Sequence, residues 1–195
     1  MHNLMQDWNM RVSRILDHAA KYHPNRTITT RTVEGPIEVT NWRGIRDGAL
    51  RVAEGLSKMG VGSGDAVGVM AWNTARHLQV WYGVSGSGAV LHTLNPRLSQ
   101  EQLIYIVNHA EDKVLMVDFD LAPLIALVAD KLTTVKTFVI MTDRAHMPDC
   151  LPGAICYEEW IAEQSGDFEW VDGDERDACG ICYTSGTTGN PKGVE

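Results

Sequence analysis

No run of lysine or arginine occurs anywhere in the chain, so the clustered cations of a nucleic-acid footprint are missing. The start, MHNLMQDWNMRVSRIL, lacks the uninterrupted apolar stretch of a secretory signal, because Asp7, Arg11 and Arg14 break it. Nor is there a membrane-spanning run. The longest stretch without a formal charge lies between Arg76 and Arg97, and it holds His77, Gln79, Ser85, Ser87, His92 and Asn95. Internal repeats and low-complexity segments are also absent. What remains is an ordinary globular composition, with 44% apolar and 22% charged residues and a net charge of −8 over 195 residues. These features predict a soluble cytoplasmic protein of one domain and a little over, with nucleic acid an unlikely partner.

Periodicity supplies the architecture. Trp8, Val12, Ile15, Leu16 and Ala19 recur at helical spacing and stop at His23-Pro24-Asn25. Residues 27–33 and 37–40 are rich in β-branched side chains around Glu34-Gly35-Pro36, which predicts a hairpin. Trp42 to Leu56 reads as a helix with Thr40 as its cap, ended by the glycines between Gly60 and Gly64. Short apolar runs then alternate with helical patterns: strands at 66–72, 89–93, 113–117 and 137–141, and helices near 75–85, 100–110 and 123–131. Ser99 with Gln102 forms a capping box for the helix at 100–110. Such alternation predicts an α/β fold, with a mainly parallel sheet carrying helices on both faces. Residues 142–176 read as a surface connection with a short helix near 158–164, and 178–184 as a last strand.

That last strand runs into YTSGTTGNPKGV, Tyr183 to Val194, where four hydroxyl side chains, three glycines and one lysine fall within ten residues. Glycines let backbone N–H groups approach an anion, hydroxyls donate further hydrogen bonds, and one lysine adds a mobile positive charge. In a chain of net charge −8, such local donors must hold a polyphosphate unaided by the overall field. A Walker A loop is excluded because Lys192 lies between Pro191 and Gly193, without Gly before it or Ser or Thr after it. A dinucleotide fingerprint is excluded because the glycines at 60–64 and 86–88 run from a helix into a strand.

The string YTSGTTGNPKGV resembles the phosphate-loop signature of the adenylate-forming, acyl-activating enzymes. The likeness extends through GVGSGDAVGVMAWNTARHLQVWYGVSGSGAVLHTLNPRLSQEQLIYIVNHAEDKVLMVD, which is similar to bacterial medium- and long-chain fatty acid CoA ligases. The resemblance implies that the chain is the first part of the large amino-terminal domain of such an enzyme. It also implies a fatty acid, ATP and CoA as substrates, with magnesium as the counter-ion of ATP. The loop would grip the β- and γ-phosphates through Thr184, Ser185, Gly186, Thr187, Thr188, Gly189 and Lys192, with Lys192 and Thr184 the catalytic pair. Related long-chain enzymes imply a homodimer by analogy. Contact with a membrane surface has no basic amphipathic helix to support it.

The family's downstream substrate, adenine and ribose motifs and its mobile carboxy-terminal domain have no counterpart before Glu195, so a truncated and inactive piece is expected. A non-catalytic remnant or partner-binding piece, and a ligase for an aryl or short-chain acid, stay open as alternatives.

Other constellations read as structural. In a strand, Cys179 and Cys182 would point to opposite faces with Cα atoms roughly 10 Å apart, beyond disulfide reach, and are expected to be small buried thiols rather than a redox or metal pair. His109-Ala110-Glu111 is expected at a helix end, with the imidazole facing solvent or the helix terminus. Trp72, Trp81, Tyr82, His77 and His92 are expected in core packing.

Overall fold

A computed structural model describes residues 8–184 and 191–195. Its elements run in the order α1 (Val12–Tyr22), β1 (Thr27–Arg31), β2 (Ile37–Asn41), α2 (Trp42–Lys58), β3 (Ala66–Met70), α3 (Ala75–Gly86), β4 (Val90–Thr93), α4 (Gln100–His109), β5 (Val114–Asp118), α5 (Ala122–Ala126), β6 (Thr137–Met141), β7 (Ile155–Cys156), α6 (Tyr157–Ala162), β8 (Gly180–Thr184) and β9 (Lys192–Val194). β1 and β2 form a separate antiparallel hairpin, while the other strands form one sheet in the order β7-β6-β5-β3-β4-β8-β9. Every pairing in that sheet is parallel except β8 with β9. This is the predicted α/β class.

Burial explains which residues take which element. All five residues of β3, AVGVM, and all five of β5, VLMVD, are buried, as expected of strands covered on both faces. Side chains alternate across the sheet. Val67, Val69 and Met116 pack on one side with Val52, Val80 and Tyr157, whereas Met70, Leu115 and Val117 pack on the other with Ile106 and Ile125. Helices α2, α3 and α6 therefore cover one face, and α4 and α5 the other. Helices α2 and α3 meet closely at Gly83, where an added Cβ would lie 2.7 Å from Val52 and 2.8 Å from the Ala49 carbonyl.

The helix ends follow their capping chemistry. Thr74 accepts from the His77 N–H, and Ser99 and Gln102 make the complete reciprocal capping box. Helix α2 is capped by Asn41 rather than Thr40, the Asn41 Oδ1 accepting from the Gly44 N–H at 2.9 Å. The chain leaves α2 through Gly60, whose φ of +79° suits a residue without a Cβ.

Three expectations need correction. The helix after β5 stops at Ala126 and only a 3₁₀ turn, Ala129–Lys131, follows. Residues 142–176 are more than a surface connection: β7 extends the sheet beside β6, Tyr157 is fully buried and Trp160 is 6% exposed. Trp160 seats over Gly55, where a Cβ would come within 2.3 Å of its ring, so the segment closes the core over α2. Cys179 and Cys182 are exposed rather than buried, since Cys179 precedes β8 and β8 flanks the sheet beyond β4.

Candidate active site at the carboxyl end of the sheet

Strands β3 to β8 run parallel, so their carboxyl ends share one edge, the edge where open α/β sheets place their ligands. Strand β8 ends there at Thr184. The chain returns as β9, and the register pairs Cys182 with Val194, Tyr183 with Gly193 and Thr184 with Lys192. Directly opposed residues of an antiparallel pair project to the same face. Thr184 and Lys192, which the sequence puts eight positions apart, thus become cross-strand neighbours, and both are exposed. Lys192 stands in a strand rather than in the loop proper. Ser185, Gly186, Thr187, Thr188 and Gly189 lie outside the described residues.

Below this turn the sheet is tied by polar contacts. His92 on β4 faces Ile181 on β8 and is fully buried, with its Nδ1 2.8 Å from the Asp112 Oδ2. Burial pushes the Asp112 carboxyl up, and the His92 partner opposes that rise. Gly68 makes the space for this carboxylate, because a Cβ there would sit 2.8 Å from the Asp112 Oδ2. The Tyr183 ring lies 5.0 Å from the His92 ring, and its hydroxyl is 2.7 Å from the His109 Nδ1. Burial, then the Asp112 charge, raises the Tyr183 phenol above its usual range. His109 is exposed at the end of α4, as expected, yet it is engaged by this tyrosine.

At the far part of the same edge most polar groups are buried and hydrogen-bonded, though one oxygen each of Asp118 and Glu34 has no partner among the described residues. Asp118 ends β5 with its Oδ2 accepting from the Trp72 N–H at 2.7 Å, and burial lifts its pKa to about 7. Arg76, at the start of α3, donates from Nη1 to Glu34 at 2.7 Å and from Nε to Glu158 at 2.6 Å. Sequence reasoning missed Asp112, Asp118, Arg76 and Glu34. Only Asp118 carried a signal, as an acid closing the apolar run of β5.

The aromatic residues divide. Trp72 is 48% exposed and donates through Nε1 to Asp120 at 3.0 Å, so it is not core. Trp81 and Tyr82 are half-buried and, with His77, line a hollow of about 510 Å³ between β1 and α3. Among the described residues no helix is long and apolar enough to cross a membrane.

Residues 16–195 match the family model described as "AMP-binding enzyme". The chain belongs to the AMP-binding enzyme family. Within that family it is 47% identical, over 94% of its length, to a 3-methylmercaptopropionyl-CoA ligase of Ruegeria pomeroyi, of which it covers 34%. It is 42% identical over 94% of its length to a medium-chain-fatty-acid–CoA ligase of Ectopseudomonas oleovorans, again covering 34% of that protein. An anthranilate CoA ligase solved with anthranoyl-AMP superposes with a TM-score of 0.86 at 25% identity, over 97% of this chain and 35% of that one. The chain thus spans about a third of the length of these AMP-binding relatives. The mainly parallel sheet flanked by helices is the fold of this family's amino-terminal region.

Proposed function

We propose that this chain is the phosphate-gripping, amino-terminal part of an acid–CoA ligase that forms an acyl-adenylate. In the first step a carboxylate oxygen attacks the α-phosphorus of ATP; the bond from that phosphorus to the bridging oxygen breaks and pyrophosphate leaves. In the second, the CoA sulfur attacks the acyl carbon, AMP departs, and the thiol proton passes to solvent.

The observation that carries this reading is the register that sets Thr184 opposite Lys192 at the carboxyl end of β8. There a hydroxyl donor and a cation converge on one face, where charge develops on the leaving pyrophosphate. Fixed donors aimed at developing charge lower a barrier because they need no reorganisation during reaction. Ser185, Gly186, Thr187, Thr188 and Gly189 complete the proposed grip between the two strands. No carboxylate falls within 183–194, so magnesium would arrive with ATP rather than on ligands of this turn.

The proposed acid is a medium- or long-chain fatty acid, medium-chain being the class named for the relative that is 42% identical and long-chain that of another at 41%. A second reading, a short thioether acid, is favoured by 47% identity to the 3-methylmercaptopropionyl-CoA ligase. Thioester formation by the complete ligase carrying this chain, with acids from three to eighteen carbons and with 3-methylmercaptopropionate, separates the two. The proposal expects ATP- and CoA-dependent thioester with at least one of these acids and the highest kcat/KM on a chain of eight carbons or more. A preference for the thioether acid selects the second reading, and no thioester with any acid overturns both.

A further inference from the structure

The turn between β1 and β2 carries Glu34 to the carboxyl end of β6, where Thr142, Asp143 and His146 follow the strand. The Glu34 side chain is only 4% exposed. Its Oε1 accepts from Arg76 Nη1 at 2.7 Å and from Thr142 Oγ1 at 2.6 Å, while its Oε2, also buried, has no partner among the described residues. A buried carboxylate oxygen left unpaired is costly. The guanidinium beside it is not available to it, because Arg76 is engaged by Glu158 and the other Glu34 oxygen. Across from Glu34 stand a second carboxylate and an imidazole. One ligand atom from each of Glu34, Asp143 and His146 lies within 4.8 Å of the other two.

We propose that Glu34, Asp143 and His146 bind a divalent transition-metal ion. Two carboxylates and one neutral imidazole carry two negative charges, matching such an ion, and this mixed oxygen and nitrogen set suits zinc or manganese better than an all-oxygen ion such as calcium. Atoms bound to one zinc stand about 3–3.5 Å apart, so closing from 4.8 Å needs only side-chain adjustment. His146 either opens its 2.7 Å Nδ1 hydrogen bond to Asp143 or presents Nε2. Arg76 and Thr142, by holding Oε1, aim the Glu34 carboxylate and leave Oε2 for the ion. Water fills the remaining positions. The ion joins a turn at residue 34 to a strand end more than a hundred residues later, and so fastens the hairpin to the main sheet. Nothing in this proposal depends on the ligase reading.

The test is isothermal titration of the metal-free 195-residue chain with zinc chloride, repeated with manganese, alongside thermal unfolding at rising zinc. One ion per chain is expected, with a melting temperature that rises with zinc concentration as for any ligand that favours the folded state. Glu34→Gln, Asp143→Asn and His146→Gln should each weaken binding at least about tenfold, a loss already caused by replacing groups that only support a ligand. His146 is exposed, so His146→Gln keeps the fold even if Glu34→Gln does not. Replacing Cys179 and Cys182 together by serine should change nothing. Absence of saturable binding, or unchanged affinity in both His146→Gln and Asp143→Asn, would overturn the proposal.

Discussion

The two flanks of one sheet edge have the same strand polarity and opposite chemistry. Beside β5 and β6, Glu34, Arg76, Asp118 and Thr142 are largely buried and engaged with one another or with backbone. Four strand spacings away, roughly 19 Å, Thr184 and Lys192 stand opposed and exposed. The first flank spends its charges on holding the hairpin, α3 and α6 together. The second leaves a cation and a hydroxyl exposed, and the proposed function gives them an anion to hold. A parallel sheet offers its carboxyl edge everywhere, and the local donor set decides where a polyphosphate can be held.

If that contrast is right, charge removal should damage the fold on one flank and leave it intact on the other. Arg76→Ala should have the largest effect, because it leaves Glu34 buried without its guanidinium; a loss of about 3 kcal/mol is expected in urea denaturation, as for one partner taken from a buried pair.

Asp118→Asn should act in the opposite direction. The folded-state pKa of about 7 lies above the ordinary 3.8, so the folded protein binds more protons than the unfolded chain between those values, and stability falls as pH rises through that window. Burial is the chief cause, with the Asp120 and Glu34 charges adding to it and Arg76 opposing it. Asparagine keeps an acceptor for the Trp72 N–H without the charge. Relative to the parent, the variant should therefore gain on the order of 2 kcal/mol at pH 8 and little at pH 4, measured by denaturation at both. An equal difference at the two values would show that Asp118 is ionised throughout. The smallest effect on folding is expected for Lys192→Ala, within about 0.5 kcal/mol, as for other exposed positions.

The sequence disclosed this edge unevenly, for physical reasons. Strand and helix positions followed from periodicity, and Ser99 with Gln102 was readable because a capping box acts over three residues. The choice of Asn41 over Thr40 depended on one residue of backbone phase, which composition does not encode. The burial of Tyr157 and Trp160 was hidden because 142–176 is interrupted by turns, and its apolar residues find their partners on α2 and α3. The pairing of Arg76 with Glu34 and Glu158 joins positions 42 and 82 residues apart, so no local pattern announces it. Conversely, YTSGTTGNPKGV offered donors suited to a polyphosphate and resembled a known phosphate loop, whereas the opposition of Thr184 and Lys192 appeared only with the strand register.

Lys192 is proposed to meet the charge that develops on pyrophosphate. ATP–pyrophosphate exchange by the complete ligase, parent against Lys192→Ala, measures that step directly. Exchange should slow about 10²-fold or more with folding unchanged, the scale of losing one donor to developing charge. Exchange at the parent rate in a folded Lys192→Ala enzyme would contradict it.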